Sequence, residues 1–143
     1  MDSRQIYVGA TAQHSFVITN EMMNTFRRMS GDTSFIHSDE EFCRKRGFSG
    51  PIVYGGLMLM NLSHMVGELL PGKYGTSVGW SITYRNPLYV GEEAVLELTV
   101  KSVSRGAGLV DASYTITSGG KRIAQGKTQS MVPIELLSED VDL

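Results

Sequence analysis

From Phe26 to His37 the chain reads Phe-Arg-Arg-Met-Ser-Gly-Asp-Thr-Ser-Phe-Ile-His, which sets a carboxylate, Asp32, five positions before an imidazole, His37. A carboxylate and an imidazole converging on one water can take a proton from it and return one elsewhere. Histidine titrates near neutrality, so it exchanges protons at physiological pH. Ser30 and Gly31 stop a helix just before Asp32, leaving the pair on irregular chain from which both groups can point into one cleft. Residue type alone also allows a plainer arrangement, with Asp32 filling a turn and His37 sitting near a helix start. A second feature is Gly55–Gly56, which opens a long apolar run. A helix starting there offers N–H groups without partners and a positive dipole end. Glycines at that point let a ligand oxygen approach the backbone closely.

Other reactive types are scattered. Ser63 falls on the same apolar run and can bond back to a carbonyl or face a site. His64 lies about 100° round the helix from Ser63 and suits packing, and His14 sits in a strand and reads as structural. Arg44–Lys45–Arg46 reads as a solvated helix end or as a landing point for phosphates. Met58, Met60 and Met65 are among eight methionines that suit adaptable core filling or an acyl tunnel.

The elements that must position these groups differ between the two halves. Asn20 is expected to cap a helix carrying Met22, Met23, Phe26 and Met29 at helical spacing. Ser38 and Glu41 have the spacing of a capping box for a short second helix ending near Gly47. From Gly55 to Leu70 apolar residues fall on nearly every face, which predicts a helix buried on most sides. The remainder reads as antiparallel strands over Thr76–Tyr89, Ala94–Ser104, Leu109–Thr117 and Lys121–Val132, broken at Asn86–Pro87, Gly91, Arg105–Gly106 and Gly119–Gly120. A buried helix embraced by a curved antiparallel sheet is the α+β assembly that these parts favour.

The chain has 143 residues, one domain's worth, with a core over about 6–132 and a solvated acidic tail over 133–143 as the expectation. A net charge of −2 argues against nucleic-acid binding through a broad basic face. One cysteine, Cys43, excludes an internal disulfide and a multi-cysteine zinc site. No segment reads as a targeting peptide or a membrane span, so a cytoplasmic protein without membrane attachment is expected.

The Asp32 segment resembles the signature of the MaoC-like (R)-specific enoyl-CoA hydratases, an aromatic followed by Ser-Gly-Asp-x-Asn-Pro-aliphatic-His. Gly47–Phe48 through Pro51–Ile52–Val53–Tyr54–Gly55–Gly56–Leu57 is similar to their Gly-Phe…Pro-Ile-Val-His-Gly-Met-Leu segment. Ile82 through Glu92 is similar to their Phe-x-x-Pro-Val-x-x-Gly-Asp strand. The resemblance spans roughly residues 6–132 and implies a hot-dog fold. It implies a catalytic pair at Asp32 and His37, a backbone N–H at Gly55, beside Gly56, holding a thioester oxygen, and an active-site serine at Ser63. Three positions depart from the pattern: Ser34 for asparagine, Phe35 for proline and Tyr54 for histidine. These bear on the geometry of the pair and on pocket shape. The implied activity is (R)-specific hydration of trans-2-enoyl thioesters or the reverse dehydration, with no cofactor. Coenzyme A or an acyl-carrier-protein arm would belong to the substrate. A thioesterase and a non-catalytic acyl-thioester binding subunit share the fold. The central helix offers a thioesterase only Glu68, near its far end, whereas Ser34 and Phe35 keep the binding subunit open. The resemblance also implies a homodimer with sheets joined edge to edge, or a higher homo-oligomer.

Overall fold

Alternation builds the sheet. Leu96, Leu98 and Val100 are at most 1% exposed, while Glu97 and Lys101 between and beyond them face water. That two-residue period lays one apolar face onto a core and leaves the other wet. In a computed structural model describing residues 5–138, strands β1 (Thr11–Val17), β2 (Thr76–Trp80), β3 (Thr83–Tyr84), β4 (Glu93–Ser104), β5 (Leu109–Ser118) and β6 (Lys121–Met131) form one sheet. It is antiparallel in the order β1-β4-β5-β6-β2, with β3 also paired to β6. The expected strand over Thr76–Tyr89 is therefore split. The break falls at Ser81, whose carbonyl accepts the Tyr114 hydroxyl at 2.6 Å and whose N–H donates to the Lys127 carbonyl at 2.9 Å. Those bonds turn the chain before β3, and Pro87 beyond it has no N–H for a ladder.

Among the described residues three α-helices lie between the strands: α1 (Asn20–Ser30), α2 (Glu40–Lys45) and α3 (Gly55–His64), the last running on as a wider π-type turn over Met65–Leu69. Thr19, rather than Asn20, caps α1, its Oγ1 accepting the Met22 N–H at 3.2 Å. Thr19 holds the extended backbone that a cap requires, and Asn20 is already helical. Likewise Asp39 caps α2 by accepting the Phe42 N–H at 2.9 Å, so no box forms between Ser38 and Glu41. The Ser38 hydroxyl instead donates to the Ser34 carbonyl at 3.1 Å.

Leu57, Met58, Leu62 and Met65 are at most 3% exposed and pack α3 into the concave face of the sheet, the hot-dog arrangement. Burial is less complete than the apolar run suggested, because Met60 is 46% exposed and Ser63 and His64 also face out. One sheet wraps one side of the helix, and the described residues form no second sheet. The tail also differs from expectation. Leu136 and Leu137 are buried, the Ile6 N–H donates to the Leu136 carbonyl at 2.7 Å, and the Ser138 N–H to the Ile6 carbonyl at 3.0 Å. Two leucines in an acidic setting suffice to dock the segment on the core. Glu139–Leu143 lie outside the described residues.

Candidate active site

Helix α1 ends with Gly31 in the left-handed region at φ 73°, its N–H on the Arg27 carbonyl at 2.9 Å. This termination delivers Asp32 to an exposed loop. Asp32 Oδ1 accepts the Ser34 hydroxyl at 2.6 Å and the Ser34 N–H at 3.0 Å. The Ser34 hydroxyl, then its N–H, and to a smaller extent the charge of His37 hold the Asp32 carboxyl below its ordinary value, against a minor opposing desolvation. Ser34, one of the departures, thus steadies the carboxylate.

His37 ends the 3-10 turn Phe35–His37 and is half-buried. Its Nδ1 lies 2.8 Å from the Ile52 carbonyl. A carbonyl only accepts, so Nδ1 carries the hydrogen and Nε2 is the acceptor nitrogen of the neutral ring. The ring stacks on Tyr54 with centroids 4.2 Å apart and planes at 26°. Tyr54, at 1% exposure, is the residue before α3. Its hydroxyl donates to the Asp32 carbonyl at 2.6 Å and accepts from Arg27 Nε at 3.2 Å. Arg27 Nη2 also reaches the His37 carbonyl at 3.3 Å.

Beside His37 lies a cavity of about 370 Å³ lined by Val53, Gly55, Met58, Tyr84 and Leu88 among others. At the start of α3 the Leu57 N–H closes on the Tyr54 carbonyl at 3.0 Å, and among the described residues no backbone acceptor meets the N–H of Gly55 or Gly56. The space beside each glycine Cα is taken by the protein itself: a Cβ at Gly55 would overlap the Tyr84 hydroxyl, and one at Gly56 the Phe26 ring. The bareness that the sequence suggested for ligand approach therefore serves internal packing on those faces. Burial pushes the Tyr84 phenol up, so Tyr84 stays a hydrogen-bond donor beside Gly55.

Residues 7–119 match the family described as MaoC like domain. The chain belongs to the MaoC-like domain family. It is 28% identical over 134 residues to the (R)-specific enoyl-CoA hydratase of Aeromonas caviae, covering 93% of this chain and all of that one. The (R)-specific enoyl-CoA hydratase of Rhodospirillum rubrum is 26% identical over 125 residues, 87% of each chain. Among solved structures, the (R)-hydratase from A. caviae involved in PHA biosynthesis superposes with a TM-score of 0.83 at 27% identity, covering 90% of this chain and 98% of that one.

In this MaoC-like domain the remaining sequence candidates lie elsewhere. Ser63 is exposed on α3, about 12 Å along the axis from Gly55 at 1.5 Å per residue, and does not line the His37 cavity. Phe35 points outward at 62% exposure, its ring 5.8 Å from Phe42, and Tyr54 is enclosed beneath His37, so neither departure lines the cavity. His64 stands 4.4 Å from His14, ring to ring, and His14 Nε2 lies 3.0 Å from Asn61 Oδ1. Arg44 and Lys45 pair with Glu40 at 2.7 Å and Glu41 at 3.1 Å, and Arg46 lies over the Phe42 ring at 5.1 Å. Glu68 pairs with Lys73 at 3.2 Å beyond α3. Cys43 is buried, which pushes its thiol up and leaves it a poor nucleophile. Among the described residues no cluster of three or more His, Cys, Asp or Glu is arranged for a metal, and no helix is long and apolar enough to cross a membrane.

Sequence reasoning passed over Arg27 and Tyr84. Arg27 carried a signal: with Met23 and Phe26 it forms an i, i+4 and i+3 set on the inward stripe of α1, an unusual place for a guanidinium without a polar task.

Proposed function

We propose that this chain hydrates trans-2-enoyl thioesters to (R)-3-hydroxyacyl thioesters, and catalyses the reverse dehydration, with Asp32 and His37 as its acid/base pair. The observation that carries the reading is His37 held through Nδ1 to the Ile52 carbonyl at 2.8 Å beside a cavity that also reaches Gly55. That leaves Nε2 to take a proton from water. The water oxygen then bonds to C3, the enoyl π electrons move toward the thioester oxygen, and the imidazolium returns the proton to C2. One H and one OH are added, with no redox change and no call for a metal or redox cofactor. Asp32, held ionised by Ser34, orients the water and favours the transient imidazolium. The N–H groups at the start of α3 hold the oxygen on which charge develops, a role worth about 3–4 kcal/mol per donor in other enzymes.

The thioester arm, coenzyme A or an acyl-carrier-protein phosphopantetheine, is part of the substrate in this reading. The working unit is a homodimer. Strand β2 is an edge whose five residues are all exposed, with Val78 at 53% and Trp80 at 36% among them, and an unpaired edge of that kind can take a partner strand. Light scattering on the eluted protein tests this, a monomer at micromolar concentration being the adverse result.

Crotonyl-CoA supplies the decisive assay, with enoyl absorbance and free thiol followed together. Absorbance lost without thiol release is the expected result. Thiol release would point to a thioesterase, although Glu68, engaged with Lys73, lends that no support. Neither signal across a range of chain lengths would favour a non-catalytic binding subunit.

A further inference from the structure

We infer that Arg27 and Tyr54 form a brace that sets the separation of Asp32 and His37, making both positioning residues for the proposed reaction. The inference rests on the hydratase reading and names what holds its two reacting groups. Asp32 is exposed; its side chain is held by Ser34, two residues along the same loop, and its N–H rests on the Ser30 hydroxyl at the end of α1. The His37 end is also anchored by its Nδ1 on the Ile52 carbonyl and by the Ile52 N–H on the Ile36 carbonyl at 3.0 Å, and the brace supplies the links that join this end to Asp32. Arg27 grips the His37 end directly, Nη2 to carbonyl at 3.3 Å, and the Asp32 end through the Tyr54 hydroxyl, by bonds of 3.2 and 2.6 Å. The guanidinium is itself oriented by Asn24, whose Oδ1 accepts from Nη1 at 2.9 Å.

The same Tyr54 ring is the platform on which the His37 imidazole stacks, so its hydroxyl and its face fix the two groups at once. At 1% exposure Tyr54 has no room to swing. The brace thus ties α1, the Asp32–His37 loop and the start of α3 into one frame. Helix α1 does not depend on the Arg27 side chain for its ends, because it has Thr19 and Gly31 at its termini and Met23 in the core. A fork with several N–H donors in one plane can serve three acceptors at once, and a lysine ammonium of different shape and reach does not reproduce that geometry.

The test uses Tyr54→Phe, Arg27→Ala, Arg27→Lys and the Arg27→Ala/Tyr54→Phe double variant in crotonyl-CoA hydration. Tyr54→Phe keeps the stack and removes the hydroxyl; it should lower kcat about tenfold with KM changed less than about twofold, the pattern of misplaced rather than missing groups. Arg27→Ala should lose at least as much, and Arg27→Lys should not restore it. The double variant should lose less than the product of the two single losses, because the Arg27–Tyr54 bond is common to both. Wild-type kcat in Tyr54→Phe, or losses that multiply in the double variant, would overturn the brace. Amide hydrogen exchange gives a second readout that needs no substrate. The brace variants should speed exchange over residues 32–38 and leave β4 and β5 unchanged; unchanged exchange in that loop counts against the inference. Should the wild-type protein hydrate no enoyl thioester, the hydratase reading fails while the exchange result still decides the brace.

Discussion

Two histidines pack against the central helix or its cap, and their partners put the same ring to different use. His37 binds a main-chain carbonyl through Nδ1 and borders a cavity with its other nitrogen unengaged by the loop. His14 turns Nε2 to Asn61 Oδ1, and Asn61 is 6% exposed with its Nδ2 fixed on the Leu57 carbonyl at 2.9 Å. The second arrangement satisfies a polar side chain inside the core. A carbonyl partner fixes a tautomer and leaves the far nitrogen available for chemistry; a buried amide partner makes the ring part of the packing.

The largest effect should come from Asp32→Asn or His37→Ala, each lowering crotonyl-CoA hydration roughly 10²–10⁴-fold with the fold retained by circular dichroism. His14→Ala in the same assay should stay within about twofold of wild type, since it removes no acid or base. A comparable loss there would erase the contrast between the two histidines. His14→Ala should instead register in urea unfolding, costing about 1–3 kcal/mol because Asn61 Oδ1 is left buried without a donor. No loss of stability would mean that the amide finds another partner.

Next comes a shift in pH dependence. The Asp32 carboxyl lies below its ordinary value, so its ionised form, and any stability linked to it, is fully present above that ordinary value and is lost only as pH falls through the lowered one. Ser34→Ala removes the leading cause, and the acid limb of kcat/KM should move to higher pH, together with the Asp32 carboxyl titration seen by NMR. An unmoved limb would separate Ser34 from the pair. The smallest effect belongs to Arg44→Ala and Lys45→Ala. Both cations are exposed and paired with α2 glutamates, and KM for crotonyl-CoA should change less than about twofold. A tenfold rise would make this run a phosphate contact after all.

Much of the fold could be read residue by residue. The alternation around Leu96–Val100 and the apolar run after Gly55 fall within single elements, so local period was enough to find β4 and α3. The helix stop at Ser30–Gly31 placed Asp32 and His37 on a loop. The caps were misread because Thr19 and Asn20, or Ser38 and Asp39, are all competent acceptors, and only the backbone angles choose between them. Leu136 and Leu137 were hidden by the acidic residues around them.

The departures show a different limit. Ser34, Phe35 and Tyr54 stood out by type, yet type could not say that Ser34 would bind Asp32, that Phe35 would face solvent, or that Tyr54 would join Arg27 to Asp32 across 22 positions of chain. By itself the sequence determined the helix-in-sheet architecture, the position of the paired acid and imidazole, and the glycines before α3, because hydrophobic period and local stops act over a few residues. Tertiary structure alone decided the tautomer of His37, the brace behind it, the aromatic contacts over Gly55 and Gly56, and the distance of Ser63 from the cavity. Those depend on which polar atom meets which across distant segments, and that meeting is set by how the helices and strands pack.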